Sequence, residues 1–383
     1  MHSIPYGKQF IDQSDIDAVT DTLKSNFLTQ GPKIAEFEKK FATYVGSKYA
    51  VAVSNGTAAL HLANLALGVQ KGDKIITTPI TFAATANASM FMGAEINFVD
   101  IDSKTLCIDI DKVEKLLKSK PRGTFKGIVP VDFAGFAVDL ERLKKIADEY
   151  GLWIIEDACH APGGYFLDSK KNKQFCGNGN FADMSVFSFH PVKHIAMGEG
   201  GMVTTNNQNL YDKLCLFRTH GITKSEDLLE ENHGAWYYEM HELGYNYRLT
   251  DIQAALGISQ LNKAQDALKK RRKIADYYNQ SFQNTKVNIA NANTNIGNAF
   301  HLYVIQIKNR KALYNDLRNK QIYAQVHYIP VHLLPYYKQF GWKLGDMPVA
   351  ENYYNHCLSL PMFPSLTKQE QNFVIQSILE WIQ

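Results

Sequence analysis

Short apolar runs alternate with helical stretches from about residue 48 onward, and this alternation limits the possible folds more than any other feature. Most of these runs are apolar at successive positions, as strands buried on both faces are. They predict an α/β fold in which a mostly parallel sheet is sandwiched between helices. The runs are YAVAVS (49–54), KIITTP (74–79), EINFVD (95–100), KGIVPVDF (126–133), LWIIEDA (152–158), DMSVFSF (183–189) and GMVTTN (201–206).

The pattern changes near residue 249. From there to about residue 283, apolar positions recur at helical spacing, which predicts one long helix. Beyond it, the runs AFHLYVIQI and IYAQVHYIP predict strands of a smaller α+β domain. We therefore expect two domains, with a large domain over residues 1–255 and the long helix plus a small domain over residues 256–383.

The composition predicts neither a nucleic-acid partner nor a membrane partner. The formal net charge of the 383 residues is only +3, and the basic run Lys269–Lys273 lies in a helical pattern, as a solvated helix face does. No apolar stretch is long enough to span a bilayer, and no signal-peptide pattern begins the chain. Five scattered cysteines without a C-x-x-C pair suit a reducing compartment, so we expect a cytoplasmic protein.

Polar features follow several predicted strands, and ligands of open α/β sheets bind beyond such strand ends. The first is SNGTAAL (54–60), a small-residue turn that opens a helix. Free N–H groups there could hold a phosphate, with Gly56 allowing close approach and Thr57 adding a hydroxyl. The same letters are equally well explained by a helix cap at Ser54 or Asn55.

Asp157 ends an apolar strand, where a carboxylate needs a cationic partner or hydrogen bonds unless it simply caps a helix. A later stretch, SVFSFHPVKHIAMGEGG (185–201), places Lys193 between His190 and His194. The two histidines suggest a metal site, but Pro191 disfavours the regular helix that would put both on one face. Since no third ligand lies at a suitable spacing, we expect no metal site.

A phosphate cradle, an acid at a strand end and a single lysine are the three attachments that pyridoxal 5′-phosphate needs. The lysine amine forms a Schiff base with the aldehyde, and the acid keeps the pyridine nitrogen protonated, so that the ring acts as an electron sink. Phe82, in TFAAT, could pack over the ring, although ordinary core packing would explain it as well. Taken together, the residues favour a pyridoxal-phosphate enzyme.

Five segments in order, SNGTAALHLA, PITFAATANA, IIEDACHAPGG, FSFHPVKHIAMGEGG and GYNYRLTDIQAALG, resemble the DegT/DnrJ/EryC1/StrS family of sugar aminotransferases. That family has the fold-type I architecture of pyridoxal-phosphate enzymes. The resemblance implies amino transfer from L-glutamate, which leaves 2-oxoglutarate, to a keto group of a UDP-linked sugar. It also implies a homodimer with shared sites.

The resemblance assigns a role to each matching position. Lys193 matches the Schiff-base lysine, Asp157 the partner of the pyridine nitrogen, and His160 a neighbour of the ring. Further cofactor contacts are implied for Gly56, Thr57, Phe82, Ser188 and, from the other subunit, Asn246. Contacts with the nucleotide sugar are implied for Tyr6, Asn26, Phe27, Leu28, Thr29, Ser54, Ser188, Asn246, Gln325, Val326, His327 and Tyr328.

Two alternative functions on the same fold are those of a sugar dehydratase and of a non-catalytic regulator. In the dehydratases a histidine replaces the Schiff-base lysine, whereas this chain has Lys193. A regulator would not need all three cofactor attachments. The sequence therefore favours transamination, but the residues alone do not give the nucleotide, the sugar epimer or the choice between a 3-keto and a 4-keto acceptor.

Overall fold

The computed structural model describes residues 3–290, 293, 295 and 297–382. The helices are α1 (Gln13–Leu23), α2 (Pro32–Val45), α3 (Gly56–Ala66), α4 (Ala84–Met90), α5 (Ile110–Lys118), α6 (Leu140–Tyr150), α7 (Gln208–Arg218), α8 (Asp251–Phe282), α9 (Arg310–Asn319), α10 (Pro335–Lys338), α11 (Pro348–His356) and α12 (Lys368–Ile382). The strands are β1 (Ile4–Pro5), β2 (Tyr49–Val53), β3 (Lys74–Thr77), β4 (Glu95–Phe98), β5 (Gly127–Val129), β6 (Trp153–Asp157), β7 (Tyr165–Leu167), β8 (Lys173–Phe175), β9 (Met184–Ser188), β10 (Gly201–Thr205), β11 (Ile222–Thr223), β12 (Glu239–Met240), β13 (Asn288–Ile289), β14 (Tyr303–Gln306), β15 (Ile322–Tyr323) and β16 (Cys357–Leu360).

The seven apolar runs form one seven-stranded sheet with the order β2-β10-β9-β6-β5-β3-β4. All pairs are parallel except those of β10, which runs antiparallel to both β2 and β9. Ile76, Ile154 and Ile155 are fully buried, and consecutive residues of a strand point to opposite faces. Both faces are therefore covered, which explains the lack of alternation and confirms the predicted α/β class.

The antiparallel direction of β10 agrees with a connection that has no helix. A parallel neighbour needs a crossover to the other end of the sheet, usually through a helix, whereas β9 reaches β10 through the loop at 189–200, which has no helix. This loop stays at the end of the sheet where β9 finishes. It contains Lys193, which therefore lies at the carboxyl end of β9.

The long predicted helix is α8, and Thr250 caps it through a hydrogen bond from the Gln253 N–H to its side chain. Its first half, including Leu261, packs on the core next to the large sheet, while its second half, including Tyr278, packs on the small sheet β13-β14-β16. The division after residue 255 stays a prediction. We propose that α8 belongs to both domains.

The two C-terminal strand runs are shorter than the sequence predicts. AFHLYVIQI forms β14, and IYAQVHYIP forms only β15, which pairs in parallel with β1. Pairing continues as a single bridge between Gln325 and Ser359. The chain then leaves the sheet and brings His327 and Tyr328 into a cavity at the edge of the large sheet. A hydropathy pattern shows that a segment is buried, but not whether its neighbour is a strand.

Among the described helices, including the 32-residue α8, none combines the length and the apolarity needed to cross a bilayer.

Candidate active site

A cavity of about 740 Å³ opens at the ends of β2, β6 and β9. It lies where ligands of open α/β sheets bind, outside the carboxyl ends of the strands. Its wall includes residues from the loops after these strands, from α4 and from the C-terminal segment. The residues singled out from the sequence that line it are Tyr6, Gly56, Thr57, Phe82, Asp157, His160, Ser188, Lys193, His327 and Tyr328.

The N-terminus of α3 faces this cavity. Asn55 caps the helix, because its side-chain oxygen accepts the Ala58 N–H at 2.8 Å. Within the described residues, this leaves the N–H groups of Gly56 and Thr57 without an acceptor, and the positive end of the helix dipole adds to their attraction for an anion. The capping and the anion-binding interpretations are thus compatible.

Gly56 is required by close packing. A Cβ atom at this position would lie 2.9 Å from the Cβ of Ser188, at the end of β9. A side chain would therefore push α3 away from β9 and separate the helix N–H groups from the Ser188 hydroxyl. The glycine keeps these donors at one place on the cavity wall.

Asp157 lies at the end of β6 and is buried. Its Oδ2 accepts the hydroxyl of Thr85 at 2.7 Å, and its Oδ1 accepts the N–H of Cys159 at 3.2 Å. Residues 158–164 form turns and not a helix, so the helix-cap interpretation of Asp157 is wrong. These hydrogen bonds satisfy only part of the carboxylate, which has about four lone-pair sites, so acceptor capacity remains for a ligand.

Lys193 lines the same cavity from the loop between β9 and β10, and it is half-buried. Burial lowers the pKa of its amine, while the nearby carboxylate of Asp157 acts in the opposite direction. An amine with a lowered pKa loses its proton more readily, and the neutral form is the nucleophile and the base. The position therefore suits a reactive lysine.

His160 is buried beside Asp157 and is neutral, because burial holds its pKa well below the usual value. Its Nδ1 accepts the N–H of Ala134 at 3.3 Å, so the single ring proton resides on Nε2. That nitrogen lies 3.2 Å from the hydroxyl oxygen of Tyr328 and donates to it. The contact joins the large sheet to the C-terminal segment.

The two histidines beside Lys193 point to different surroundings. His190 is exposed, whereas His194 is buried, with its Nε2 2.8 Å from the carbonyl of Ala299. In the described part of the chain, the residues with the spacing of a metal site are Asp132, Glu156 and Cys176, which include neither histidine. The structure therefore gives no support to a metal site at His190 and His194.

Phe82 and the C-terminal segment form the rim of the cavity. Phe82 is 63% exposed, so core packing does not explain it, and its ring centroid lies 6.3 Å from that of Tyr328. The rings of Tyr6 and His327 lie 5.1 Å apart. The His327 Nδ1 is 2.9 Å from the Ser359 hydroxyl, and burial lowers the pKa of this histidine to about 3.

Eight of the residues predicted to contact ligands do not line the cavity of their own chain. The segment 26–29 is exposed and is attached to the start of α8, where the Asp251 N–H donates to the Leu28 carbonyl at 2.9 Å. Asn246 is exposed and forms a bridge with Thr219. The eight are Asn26, Phe27, Leu28, Thr29, Ser54, Asn246, Gln325 and Val326.

Several cavity residues were missed in the sequence. Thr85, Cys159, Glu199 and Tyr247 line the cavity, and Thr85 is also the hydrogen-bond donor to Asp157. The only available signal for Thr85 was its spacing of one helical turn from Phe82. For the other three, nothing in the local sequence marks the side chain as facing a cavity.

Glu156 and Asp132 form a buried pair of carboxyl groups on the side of β6 away from Asp157. Because successive strand residues alternate in direction, Glu156 points away from Asp157. Its Oε2 accepts the hydroxyl of Ser185 at 2.5 Å and the N–H of Gly177 at 2.9 Å. Burial, reinforced by the charge of Glu156, raises the pKa of Asp132, and burial also raises that of Glu156. The pair therefore retains a proton in the folded chain.

This retained proton makes stability dependent on pH. The folded chain keeps a proton that the unfolded chain loses at about pH 4 to 4.5, so the free energy of unfolding decreases as the pH rises from about 4.5 toward the raised pKa and levels off above it. One proton contributes a slope of about 1.4 kcal/mol per pH unit. We expect Glu156→Gln to flatten the fall in melting temperature as the pH rises above about 4.5. Glu149→Gln, at an exposed glutamate, is the control, and an unchanged slope in Glu156→Gln would contradict the shared proton.

Comparison with known proteins identifies similar chains over nearly the full length. The model of the DegT/DnrJ/EryC1/StrS aminotransferase family matches residues 9–379. The chain is 40% identical over 391 residues to the spore coat polysaccharide biosynthesis protein SpsC of Bacillus subtilis, covering 100% of this chain and 98% of the relative. It is 39% identical over 392 residues to the UDP-4-amino-4,6-dideoxy-N-acetyl-beta-L-altrosamine transaminase of Campylobacter jejuni, covering 99% and 98%. Helicobacter pylori PseC, an aminotransferase involved in the biosynthesis of pseudoaminic acid, superposes with a TM-score of 0.89 at 32% identity, covering 100% and 99%.

Proposed function

Because this chain belongs to the DegT/DnrJ/EryC1/StrS family of pyridoxal-phosphate-dependent aminotransferases, we propose that it moves an amino group from L-glutamate to C4 of a UDP-linked 4-keto sugar. The proposed acceptor is UDP-2-acetamido-2,6-dideoxy-β-L-arabino-hex-4-ulose, and the product is UDP-4-amino-4,6-dideoxy-N-acetyl-β-L-altrosamine, in pseudaminic acid biosynthesis. The Campylobacter jejuni relative and Helicobacter pylori PseC support this choice.

The observation that carries the proposal is the meeting of three groups in one cavity. Lys193, Asp157 and the free N–H groups at the start of α3 come from segments far apart in the chain, and all line the same space. A reactive amine, an acid and an anion cradle are the attachments that pyridoxal phosphate needs. This combination is more specific than any of its members.

The residues present suit this cofactor. At the phosphate end, the N–H groups of Gly56 and Thr57 and the hydroxyls of Thr57 and Ser188 would act as donors. The space there depends on glycine at a second position, since a Cβ at Gly201 would lie 2.4 Å from the carbonyl oxygen of Asn55. Asp157 would hold the pyridine nitrogen, and Lys193 would bind the aldehyde carbon as a Schiff base. Phe82, which is exposed at the cavity rim, would cover the ring.

When bound, pyridoxal phosphate supplies an electron sink for the charge left when the donor loses its Cα proton. In the proposed reaction, Lys193 Nζ takes this proton as a general base and later returns a proton to the sugar at C4. Burial helps, because it lowers the pKa of the amine and so favours the neutral base. Asp157 would hold the positive charge of the ring nitrogen in place, and His160, which is neutral and has both ring nitrogens engaged by Ala134 and Tyr328, would lie beside the ring without adding charge.

We further propose that the enzyme is a homodimer whose active sites are shared. Asn246, which the family resemblance assigns to the cofactor phosphate, is exposed and lies outside the cavity of its own chain. Its neighbour Tyr247 does line that cavity, so Asn246 lies near a site without taking part in it. A second copy that supplied Asn246 and the segment 26–29 would account for both facts.

The proposed compartment is the cytoplasm. All five cysteines, Cys107, Cys159, Cys176, Cys215 and Cys357, are free thiols. Free thiols in this number suit a reducing compartment better than an oxidising one.

A panel of nucleotide sugars tests the acceptor. We expect transfer from L-glutamate, measured as 2-oxoglutarate formed, to have a kcat/KM at least about tenfold higher with the proposed UDP-4-keto sugar than with 3-keto or GDP-linked analogues, since a buried polar group left unpaired by a mismatched ligand costs about 1–3 kcal/mol. The alternative is another keto nucleotide sugar, which the equally similar Bacillus subtilis relative keeps open. A higher kcat/KM with a different acceptor would overturn the proposed substrate while leaving the aminotransferase activity intact. Lys193→Ala gives the blank.

A further inference from the structure

Two buried threonine hydroxyls form a chain that ends on Asp157. The Thr85 Oγ1 lies 2.7 Å from the Asp157 Oδ2 and 2.7 Å from the Thr81 Oγ1. All three side chains are at most 4% exposed. An ionised carboxylate only accepts hydrogen bonds, so Thr85 donates its single hydroxyl proton to Asp157. The oxygen of Thr85 then accepts the proton of Thr81, and the direction of the chain is determined.

These hydrogen bonds determine the orientation of the Asp157 carboxylate, which the backbone does not fix. The main chain is held, because the Asp157 N–H donates to the Pro130 carbonyl at 2.9 Å and its carbonyl accepts the Asp132 N–H at 3.0 Å. The carboxylate can still rotate about its side-chain bonds, and its other contact, with the Cys159 N–H, is longer at 3.2 Å. The short bond from Thr85 therefore sets the orientation of the carboxylate. Successive hydrogen bonds also polarise one another, which strengthens the last one.

We propose that Thr85 is a positioning residue, whose hydroxyl orients the Asp157 carboxylate toward the ring nitrogen of the cofactor, with Thr81 as its support. The proposal rests on the function proposed above. Phe82 lies just before α4 and Thr85 lies in its first turn. The start of this helix therefore places both Phe82 at the cavity rim and Thr85 beside the Asp157 carboxylate. The geometry of the site thus depends on where α4 begins.

The test compares Thr85→Val with Thr85→Ser in the complete, cofactor-loaded protein. Valine keeps the shape and removes the hydroxyl, whereas serine keeps the hydroxyl. We expect Thr85→Val to lower kcat about tenfold or more, as loss of a hydrogen bond to a charged group does, with the KM for L-glutamate changed less than about twofold. Cofactor release after dilution should be faster by about tenfold. The midpoint of the pH titration of the visible absorbance should also shift. Thr85→Ser should restore all of these properties.

Three results would overturn the proposal. One is wild-type release and titration in Thr85→Val. Another is equal impairment in Thr85→Ser, which would indicate a role in packing. The third is an effect of Thr81→Val as large as that of Thr85→Val, which would show that the orientation of Asp157 depends on the Thr81 hydroxyl and not mainly on Thr85. Melting temperatures of the cofactor-free variants separate these results from unfolding. If the wild type neither bound pyridoxal phosphate nor transferred an amino group, the proposed function itself would fail, and that failure appears before any variant is made.

Discussion

Replacing Lys193 with arginine is expected to abolish amino transfer while leaving the fold intact. The guanidinium group keeps the positive charge and much of the length of the side chain, but its pKa above about 12 keeps it protonated, so it is neither a nucleophile nor a base. A positioned general base contributes roughly a hundredfold to ten-thousandfold in rate, and this variant loses the covalent attachment as well. We therefore expect kcat to fall at least about a thousandfold.

The measurement is the rate of 2-oxoglutarate formation with saturating L-glutamate and acceptor. Circular dichroism and melting temperature should match the wild type, because Lys193 is half-buried at a cavity and not in a packed core. Lys269→Arg is the matched control, since the side chain of Lys269 is 70% exposed on α8. In Lys193→Ala, the visible absorbance of the bound cofactor should change as well. Substantial turnover by Lys193→Arg would refute the role of this lysine.

The sheet could be predicted from the sequence because burial on both faces leaves a mark in every strand. The direction of β10 could not, since an apolar run such as GMVTTN records burial and not orientation. The same limit explains the C-terminal run IYAQVHYIP. There, His327 and Tyr328 are partly or fully buried by a cavity wall and by neighbouring rings, not by a neighbouring strand.

The meeting of candidate residues in one cavity could be predicted where a motif follows a strand. Gly56, Asp157 and Lys193 each follow an apolar run, and parallel strands bring such ends together. Thr85 could not be found in this way, because its partner Asp157 lies 72 residues further along the chain and nothing in AATAN distinguishes a buried hydroxyl. For Asn246 and the segment 26–29, the role that the family resemblance implies requires the proposed second subunit, which a single chain does not contain.

The hydrogen bond from Thr85 decides which substitution of Asp157 is informative. Removal of the side chain would leave the buried Thr85 hydroxyl without an acceptor, so a loss of activity would reflect both the lost charge and the disturbed packing. Asparagine avoids this problem. Its side-chain oxygen can still accept from Thr85 and its shape is nearly that of aspartate, while the negative charge and the acceptor for the longer Cys159 N–H contact are lost.

We expect Asp157→Asn to slow removal of the donor Cα proton about a hundredfold or more, while cofactor affinity falls much less, because a neutral amide no longer favours the protonated ring nitrogen on which the electron sink depends. Stopped-flow absorbance with L-glutamate deuterated at Cα measures this step directly. Proton removal should become slower, and its isotope effect should be fully expressed in kcat. Asp148→Asn, at an exposed carboxylate of α6, is the matched control. Unchanged proton removal in Asp157→Asn would show that the charge of this residue is not used in the reaction. Thr85 is proposed to act only by orienting the charged carboxylate of Asp157. The same result would therefore also contradict the proposed positioning role of Thr85.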